Sequence, residues 1–205
     1  MAHTLTAEPP ANAAARQGSI TLIRHGEPAL SRKVLLNAEG YRNFWAQYEV
    51  LGLLPGQTPP TELVAIVAAA GSVISSTRLR SIESARALTG GDTFVRDPML
   101  IEAPLPPPRL LAFVRLSPRI WGFMARFWWW FFNHHEGAET RRQAEGRADR
   151  AAARLIEATA SGQDVAVIAH GFFNFMIGRA LKRRGWKLAA SQGYKYWSMR
   201  RFHRA

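Results

Sequence analysis

The stretch that decides the fold runs from Ile20 to Glu27 and reads Ile-Thr-Leu-Ile-Arg-His-Gly-Glu. Its apolar first half is typical of a buried β-strand, and the run ends abruptly in a cation, an imidazole and a glycine. In open α/β sheets, ligands bind just beyond the carboxyl ends of the strands, which is where Arg24 and His25 would lie. Gly26 would let a ligand approach the backbone closely. An arginine beside a histidine at this position indicates an anion held next to a nucleophile or a proton carrier.

Two other apolar runs end in a similar way. Val165 to Ala169 is followed by His170 and Gly171, and Val73 to Ser76 leads through a short polar stretch to Arg80 and a helix. The alternation of strands and helices predicts an α/β fold with a largely parallel sheet. The polar residues that follow these strands would then meet at one edge of that sheet.

Two local patterns predict further elements. Asn37 is a suitable N-cap for a helix in which Phe44, Trp45 and Tyr48 recur at helical spacing. Tyr194 to Phe202 is predicted to form a last strand, antiparallel at an edge of the sheet.

Four segments together resemble the histidine phosphatase superfamily, which has the phosphoglycerate mutase-like fold. The segments are Leu22–Glu27 (Leu-Ile-Arg-His-Gly-Glu), Ser76–Ala85 (Ser-Thr-Arg-Leu-Arg-Ser-Ile-Glu-Ser-Ala), Leu100–Glu102 (Leu-Ile-Glu) and Ile168–Gly171 (Ile-Ala-His-Gly). They occur in the family's order and span most of the chain. The resemblance implies a three-layer α/β sandwich with a largely parallel central sheet. Residues 103–136 would add an aromatic-rich, cap-like helical insertion.

The resemblance also implies a set of catalytic roles. His25 would attack phosphorus and become a phosphohistidine. Arg24 and Arg80 would hold the phosphate oxygens, and a protonated His170 would add a third positive charge. The start of the helix after His170 would contribute amide donors. Glu102 would protonate the leaving oxygen and then activate water.

Two of these assignments have an alternative. Arg78 competes with Arg80, although the Ser-x-x-x-Arg spacing of the family runs from Ser76 to Arg80. The residues after Glu102 depart from the family's Gly-containing loop and read Ala-Pro-Leu-Pro-Pro-Pro. Glu27 is therefore the alternative acid.

The leading functional prediction is a cofactor-independent phosphatase that acts on a phosphorylated small molecule. Substrate contacts are predicted for Gly26, Glu27, Ser31 and Gly171. Ser31 stands where many relatives carry a phosphate-contacting asparagine. A phosphomutase is disfavoured, because mutases usually carry a serine and then a Trp-Asn pair after Arg-His-Gly. A protein phosphohistidine phosphatase and a non-enzymatic module that binds phosphate ligands or membranes stay open as alternatives.

Length, composition and net charge limit the number of domains, the kinds of metal site and the classes of binding partner. The 205 residues favour one domain over residues 18–205, and the absence of cysteine excludes disulfides and thiolate metal sites. His134 and His135 are adjacent and point in different directions, so no metal site is predicted. The net charge of +12 favours acidic partners. Nucleic acid is not expected as the main one, because no nucleic-acid-binding signature accompanies the charge.

Two further segments lie outside the four segments that carry the resemblance. Met1 to Gln17 has no cationic start and no apolar core segment, so it is not a secretory signal and a cytoplasmic protein is expected. Its Ala, Pro and polar residues predict a disordered leader. Residues 119–132 predict one helix with aromatic side chains on all sides, too short to span a bilayer. This helix is interpreted as a cap over the active site, a homodimer contact, or a contact with an anionic membrane surface or an apolar-tailed substrate.

Overall fold

The computed structural model describes residues 17–204, which build a six-stranded sheet with helices against both faces. The strands are β1 (Ile20–Arg24), β2 (Ser72–Ser76), β3 (Val95–Asp97), β4 (Val165–Ala169), β5 (Trp186–Ser191) and β6 (Met199–Arg204). The helices are α1 (Ala38–Val50), α2 (Thr61–Ala68), α3 (Leu79–Thr89), α4 (Pro118–Phe132), α5 (Arg141–Ala158) and α6 (Gly171–Arg183), with a single 3-10 turn at Pro98–Leu100. The leader predicted for Met1–Gln17 lies outside the described residues except for Gln17, which hydrogen-bonds Thr159.

The strand order is β3-β2-β4-β1-β6-β5, and the first four strands are parallel. The prediction of an α/β fold with a largely parallel sheet is therefore confirmed. The predicted last strand begins later than expected, at Met199, and pairs antiparallel with β1 inside the sheet. The edge beside β6 is formed by β5 (Trp-Lys-Leu-Ala-Ala-Ser), which was not predicted and whose side chains are mostly exposed.

Alternating side chains of the central strands sort the helices into two layers. Ile20 and Leu22 of β1 pack in one core with side chains of α1, α4, α5 and α6. Ile23 faces the opposite side and packs with α2 and α3. This alternation, which follows from the two-residue period of a strand, gives the three-layer sandwich that was predicted.

Local signals set the bounds of two helices that carry site residues. The Asn37 side chain accepts a hydrogen bond from Gly40 N–H at 2.8 Å and caps the start of α1, as predicted. Gly90 ends α3 with a φ of 72°, a left-handed conformation that glycine adopts without strain.

Helix α4 confirms the predicted aromatic helix and is anchored by its inner side. Trp121, Ala125 and Trp129 are fully buried. Each indole N–H donates to a backbone carbonyl, from Trp121 to Leu36 O at 2.7 Å and from Trp129 to Glu139 O at 3.0 Å. Within residues 17–204, no helix has both the length and the apolar character needed to cross a membrane.

Candidate active site

The carboxyl ends of β1 and β4 bring two histidines together. The parallel register places Arg24 opposite Ala169, so His25 and His170 leave their strands at the same level. Both imidazoles are buried, and their ring centroids lie 5.2 Å apart. The pairing arises from strand register, which is why residues far apart in sequence meet here.

The His25 imidazole is held in one tautomer. Its Nδ1 lies 2.7 Å from the carbonyl oxygen of Gly26, and because a carbonyl only accepts, Nδ1 carries the proton. Burial, followed by the positive charges of Arg80 and Arg24, lowers the pKa of His25 well below its ordinary value. His25 is therefore a neutral imidazole whose Nε2 lone pair is available.

Gly26 has a different neighbour from the one expected. Its N–H donates to Ser84 Oγ at 2.9 Å, and a Cβ at this position would lie 2.4 Å from the ring of Trp197. The absence of a side chain at Gly26 thus makes room for the Trp197 ring.

His170 uses both ring nitrogens to hold neighbouring side chains. Its Nδ1 accepts from Arg80 Nη2 at 3.3 Å, because a guanidinium only donates, and Nε2 therefore donates to Ser76 Oγ at 2.9 Å. Burial, followed by the charges of Arg80 and His25, lowers the pKa of His170 well below its ordinary value. These hydrogen bonds are those of a neutral His170 that accepts from Arg80, which differs from the protonated His170 expected from the sequence.

Arg80 is completely buried and is fixed by the end of α1. Its Nη1 donates to Tyr48 O at 2.7 Å, and its Nη2 donates to Glu49 Oε1 at 3.0 Å. Its Nε is buried without a hydrogen-bond partner. Arg78 pairs with the same Glu49 but keeps 34% of its side chain exposed. The structure therefore places Arg80, and not Arg78, beside His170.

Two more cations lie around His25. Arg24 lies 4.3 Å from the centroid of the Tyr196 ring, and its Nε is buried without a partner. Arg32 lies 5.3 Å from the same ring and donates from Nη2 to the Tyr48 hydroxyl at 3.1 Å. Sequence reasoning missed Arg32, Tyr48 and Tyr196, all of which surround His25.

Glu102 occupies the start of α6. Its Oε1 accepts from Phe173 N–H at 2.8 Å and from Ala103 N–H at 3.2 Å, and its Oε2 accepts from Phe172 N–H at 3.3 Å. A carboxylate is favoured at a helix N-terminus by the unpaired amides and the helix dipole. The amides of Phe172 and Phe173, expected to bind phosphate, therefore bind Glu102 instead.

A cavity of about 490 Å³ opens onto His25, whereas the fully buried Arg80 and His170 do not line it. Of the predicted site residues, Arg24, His25, Glu102 and Gly171 line it. Its other wall residues are mostly aromatic or cationic: Arg32, Tyr41, Phe44, Trp45, Tyr48, Pro118, Arg119, Gly122, Arg126, Phe172, Phe175 and Tyr194. A larger groove of about 980 Å³ adjoins this cavity at Trp45 and Glu102, but neither histidine lines it. The smaller cavity is therefore the candidate active site.

Two predicted substrate contacts do not reach this cavity. Ser31 is exposed, and its hydroxyl accepts a hydrogen bond from Lys33 N–H at 3.2 Å. Glu27 is also exposed. Its backbone N–H donates to the Gln57 side chain, and its carbonyl oxygen accepts from the same side chain. Across residues 17–204, no group of three or more histidine, aspartate or glutamate side chains is placed to hold a metal ion.

The sequence model of the histidine phosphatase superfamily (branch 1) matches residues 20–197. The chain belongs to this superfamily. Three solved structures illustrate the shared fold of the superfamily at low sequence identity. The chain has no significant match among curated protein sequences.

The first of these structures is the Bombix mori ecdysone phosphate phosphatase in complex with tungstate, with 15% identity, a TM-score of 0.54 and coverage of 90% of this chain and 88% of that one. The second is the mycobacterial glucosyl-3-phosphoglycerate phosphatase, with 18% identity, a TM-score of 0.51 and coverage of 82% and 81%. The third is a mutant phosphoserine phosphatase from Entamoeba histolytica in complex with phosphoserine, with 12% identity, a TM-score of 0.51 and coverage of 81% and 80%.

Proposed function

We propose that this member of the histidine phosphatase superfamily hydrolyses a phosphomonoester through a phosphohistidine intermediate on His25. The observation that carries the proposal is the state of His25. It is a neutral imidazole whose Nδ1–H is engaged by Gly26 O, and it lies in the cavity wall. A neutral imidazole with a free lone pair is the form that attacks phosphorus.

In the first step, His25 Nε2 forms a bond to phosphorus while the bond from phosphorus to the leaving oxygen breaks. Arg24 and Arg32 supply positive charge from the cavity wall, where the transferring group needs neutralisation. The buried, unpartnered Nε groups of Arg24 and Arg80 are further donors suited to phosphate oxygens. To act as the acid, Glu102 first takes up a proton against the three backbone N–H groups that favour its carboxylate, and it then gives that proton to the leaving oxygen.

In the second step, water attacks the phosphohistidine. The Glu102 carboxylate accepts the proton from that water, inorganic phosphate leaves, and His25 returns to its neutral form. Atoms and charges balance with water alone, so the proposed reaction requires no cofactor. His170 does not touch the reacting atoms in this scheme, and acts by holding Arg80 in place through Nδ1.

The walls of the cavity favour a small substrate with an apolar leaving group. Phe44, Trp45, Phe172 and Phe175 form much of the surface beyond the cationic groups. The similarity to the ecdysone phosphate phosphatase is compatible with such a substrate. The other two similar structures are named for phosphoserine and glucosyl-3-phosphoglycerate, so a substrate panel must include polar phosphomonoesters as well.

The test combines turnover with trapping of the intermediate. Hydrolysis of p-nitrophenyl phosphate is measured for the wild type, for His25→Ala and for His203→Ala, whose imidazole is exposed on β6. His25→Ala should lose at least about a thousandfold in kcat, as expected for loss of a nucleophile, whereas His203→Ala should keep wild-type activity. Rapid quenching with radiolabelled substrate should trap acid-labile, alkali-stable phosphate on the wild type and on His203→Ala only.

Three outcomes separate the proposal from its alternatives. Full activity of His25→Ala would eliminate the mechanism. Tight phosphate binding without turnover by the wild type would identify a binding module. Transfer of the label to a second hydroxyl of the substrate, rather than to water, would identify a phosphomutase, and release of phosphate only from phosphohistidine peptides would identify a protein phosphohistidine phosphatase.

A further inference from the structure

The side of α4 that faces the sheet is packed in the hydrophobic core. Trp121, Ala125 and Trp129 are fully buried, and both indole N–H groups are hydrogen-bonded to backbone carbonyls. These contacts fix the position of the helix. The side chains on its opposite side are therefore not needed to hold α4 against residues 17–204.

The opposite side of α4 nevertheless carries large apolar side chains in solvent. Phe123 is 70% exposed and Phe131 is 65% exposed. We call this surface the α4 outer face: Ile120, Phe123, Phe127, Phe131 and Phe132. Phe127 and Phe131 contact each other, with ring centroids 4.8 Å apart. Because a monomeric protein rarely exposes a contiguous apolar patch of this kind, the outer face indicates a binding surface.

The apolar surface extends beyond the helix. In the segment that leads into α4, Leu111 is 67% exposed and Phe113 is 79% exposed. Trp129 is buried, and the exposed rings of α4 are phenylalanines. Their position reflects the helical period, which places residues 120, 123, 127 and 131 on one side.

The charge around the α4 outer face is mainly positive, because Glu136, which shares a groove with Arg109 and Phe132, is paired with Arg42. Between Glu102 and Glu136 the sequence has no acidic residue, but it has four arginines, at positions 109, 115, 119 and 126. Arg109, Arg115 and Arg119 are exposed. A second copy of the chain, docked on the same surface by a twofold axis, would bring these arginines close to their own copies, with Glu136 already paired to Arg42. An anionic partner is favoured instead.

We propose that the α4 outer face is a docking surface for an anionic lipid bilayer. The helix has 15 residues, so it would lie along the membrane with the phenylalanines among the acyl chains near the head groups. Arg109 and Arg115 would contact anionic head groups. Arg119 and Arg126 line the catalytic cavity, so docking would place that cavity beside the membrane surface. The proposal does not depend on the activity of His25.

The test is co-sedimentation of the full chain with sucrose-loaded vesicles of phosphatidylcholine alone or of phosphatidylcholine mixed with phosphatidylglycerol. The wild type should bind the mixed vesicles more tightly, and added salt should weaken that binding. Phe123→Ala/Phe131→Ala should reduce the partition coefficient at least about tenfold, because two rings no longer enter the interface. The matched control is Val50→Ala/Val95→Ala, which removes two exposed apolar side chains from α1 and β3.

A second pair of variants tests the charge. Arg109→Gln/Arg115→Gln should lose binding to the mixed vesicles, whereas Arg86→Gln/Arg96→Gln, which removes the same charge from α3 and β3, should retain it. Circular dichroism and sedimentation velocity establish that each variant is folded and report its oligomeric state.

The result that supports the proposal is selective loss in the α4 and Arg109/Arg115 variants. Absence of vesicle binding by the wild type, or equal binding by Phe123→Ala/Phe131→Ala, would overturn it. A wild-type dimer that becomes monomeric in the phenylalanine variant, without vesicle binding, would assign the surface to a second copy. These outcomes are independent of phosphate release, because p-nitrophenyl phosphate hydrolysis is measured separately for each variant.

Discussion

Replacing Arg80 by lysine tests the part of the site that depends on a planar guanidinium. Arg80 donates to Tyr48 O, Glu49 Oε1 and His170 Nδ1 from a fully buried position. A lysine ammonium is a single point and leaves about two of these acceptors without a donor. With about 1.5 kcal/mol for each such loss, the free energy of unfolding should fall by about 3 kcal/mol.

The assay is thermal unfolding followed by circular dichroism. For a chain of this size, 1 kcal/mol corresponds to about 2–4 °C, so Arg80→Lys should lower Tm by roughly 6–12 °C. Arg78→Lys is the matched control, because Arg78 pairs with the same Glu49 but is 34% exposed. Its ion pair is worth about 1 kcal/mol or less in solvent, so its Tm should change by only a few degrees.

The same pair of variants reports on catalysis. Arg80→Lys should lower kcat/KM for p-nitrophenyl phosphate about 100- to 1000-fold, as expected when a preorganised donor to the transition state is lost. Arg78→Lys should stay within about threefold of the wild type, because Arg78 does not contact either histidine in the hydrogen-bond network described above. Equal losses of stability in the two variants, or near-normal kcat/KM in Arg80→Lys, would refute the assignment of Arg80.

Two further predictions follow from the buried histidines and from Glu102. The free energy of unfolding should fall as the pH is lowered from about 7 to about 5, because the fold lowers the pKa of His25 and His170 and the unfolded chain binds these protons first. In urea denaturation, the free energy of unfolding should change with pH by up to about 1.4 kcal/mol per pH unit for each histidine. The change should be smaller in His25→Asn, and an equal change in the variant and the wild type would contradict this origin. Glu102→Gln should lower kcat/KM at least about a hundredfold for an alkyl phosphate but far less for p-nitrophenyl phosphate, whose leaving group needs no proton. Equal losses in steady-state kinetics with the two substrates would argue against Glu102 as the acid.

The parts of the site that follow apolar strands could be predicted from the sequence. His25 and His170 come directly after buried runs, and a parallel register brings such residues to the same edge. The spacing from Ser76 selected Arg80 over Arg78, and the structure places Arg80 against His170. Glu102 was identified only through the family resemblance, because no local sequence pattern predicts that its carboxylate binds the start of α6.

The parts that depend on long-range packing could not be predicted. Tyr48 was recognised as an apolar helix position, but its backbone carbonyl binds Arg80 and its hydroxyl binds Arg32, contacts that no periodicity encodes. Ser31 was predicted from its position in the chain. In the structure its hydroxyl accepts a hydrogen bond from Lys33 N–H on an exposed loop, and Ser31 does not line the cavity. The exposure of Phe123 and Phe131 was equally hidden, because a helix that is apolar on all sides does not reveal which side meets the core.

The order of the strands has a consequence for how the protein is made. β1 is synthesised before the other strands of the sheet, yet its two neighbours in the sheet are β4 and β6, which come much later in the sequence. Until Val165 has been synthesised, both edges of this apolar strand lack the partners they have in the finished sheet. Unpaired strand edges are sites of aggregation, and pairings between distant segments form slowly. His25 is therefore synthesised well before β4 and β6, and its surroundings are assembled only after both of these strands have been made.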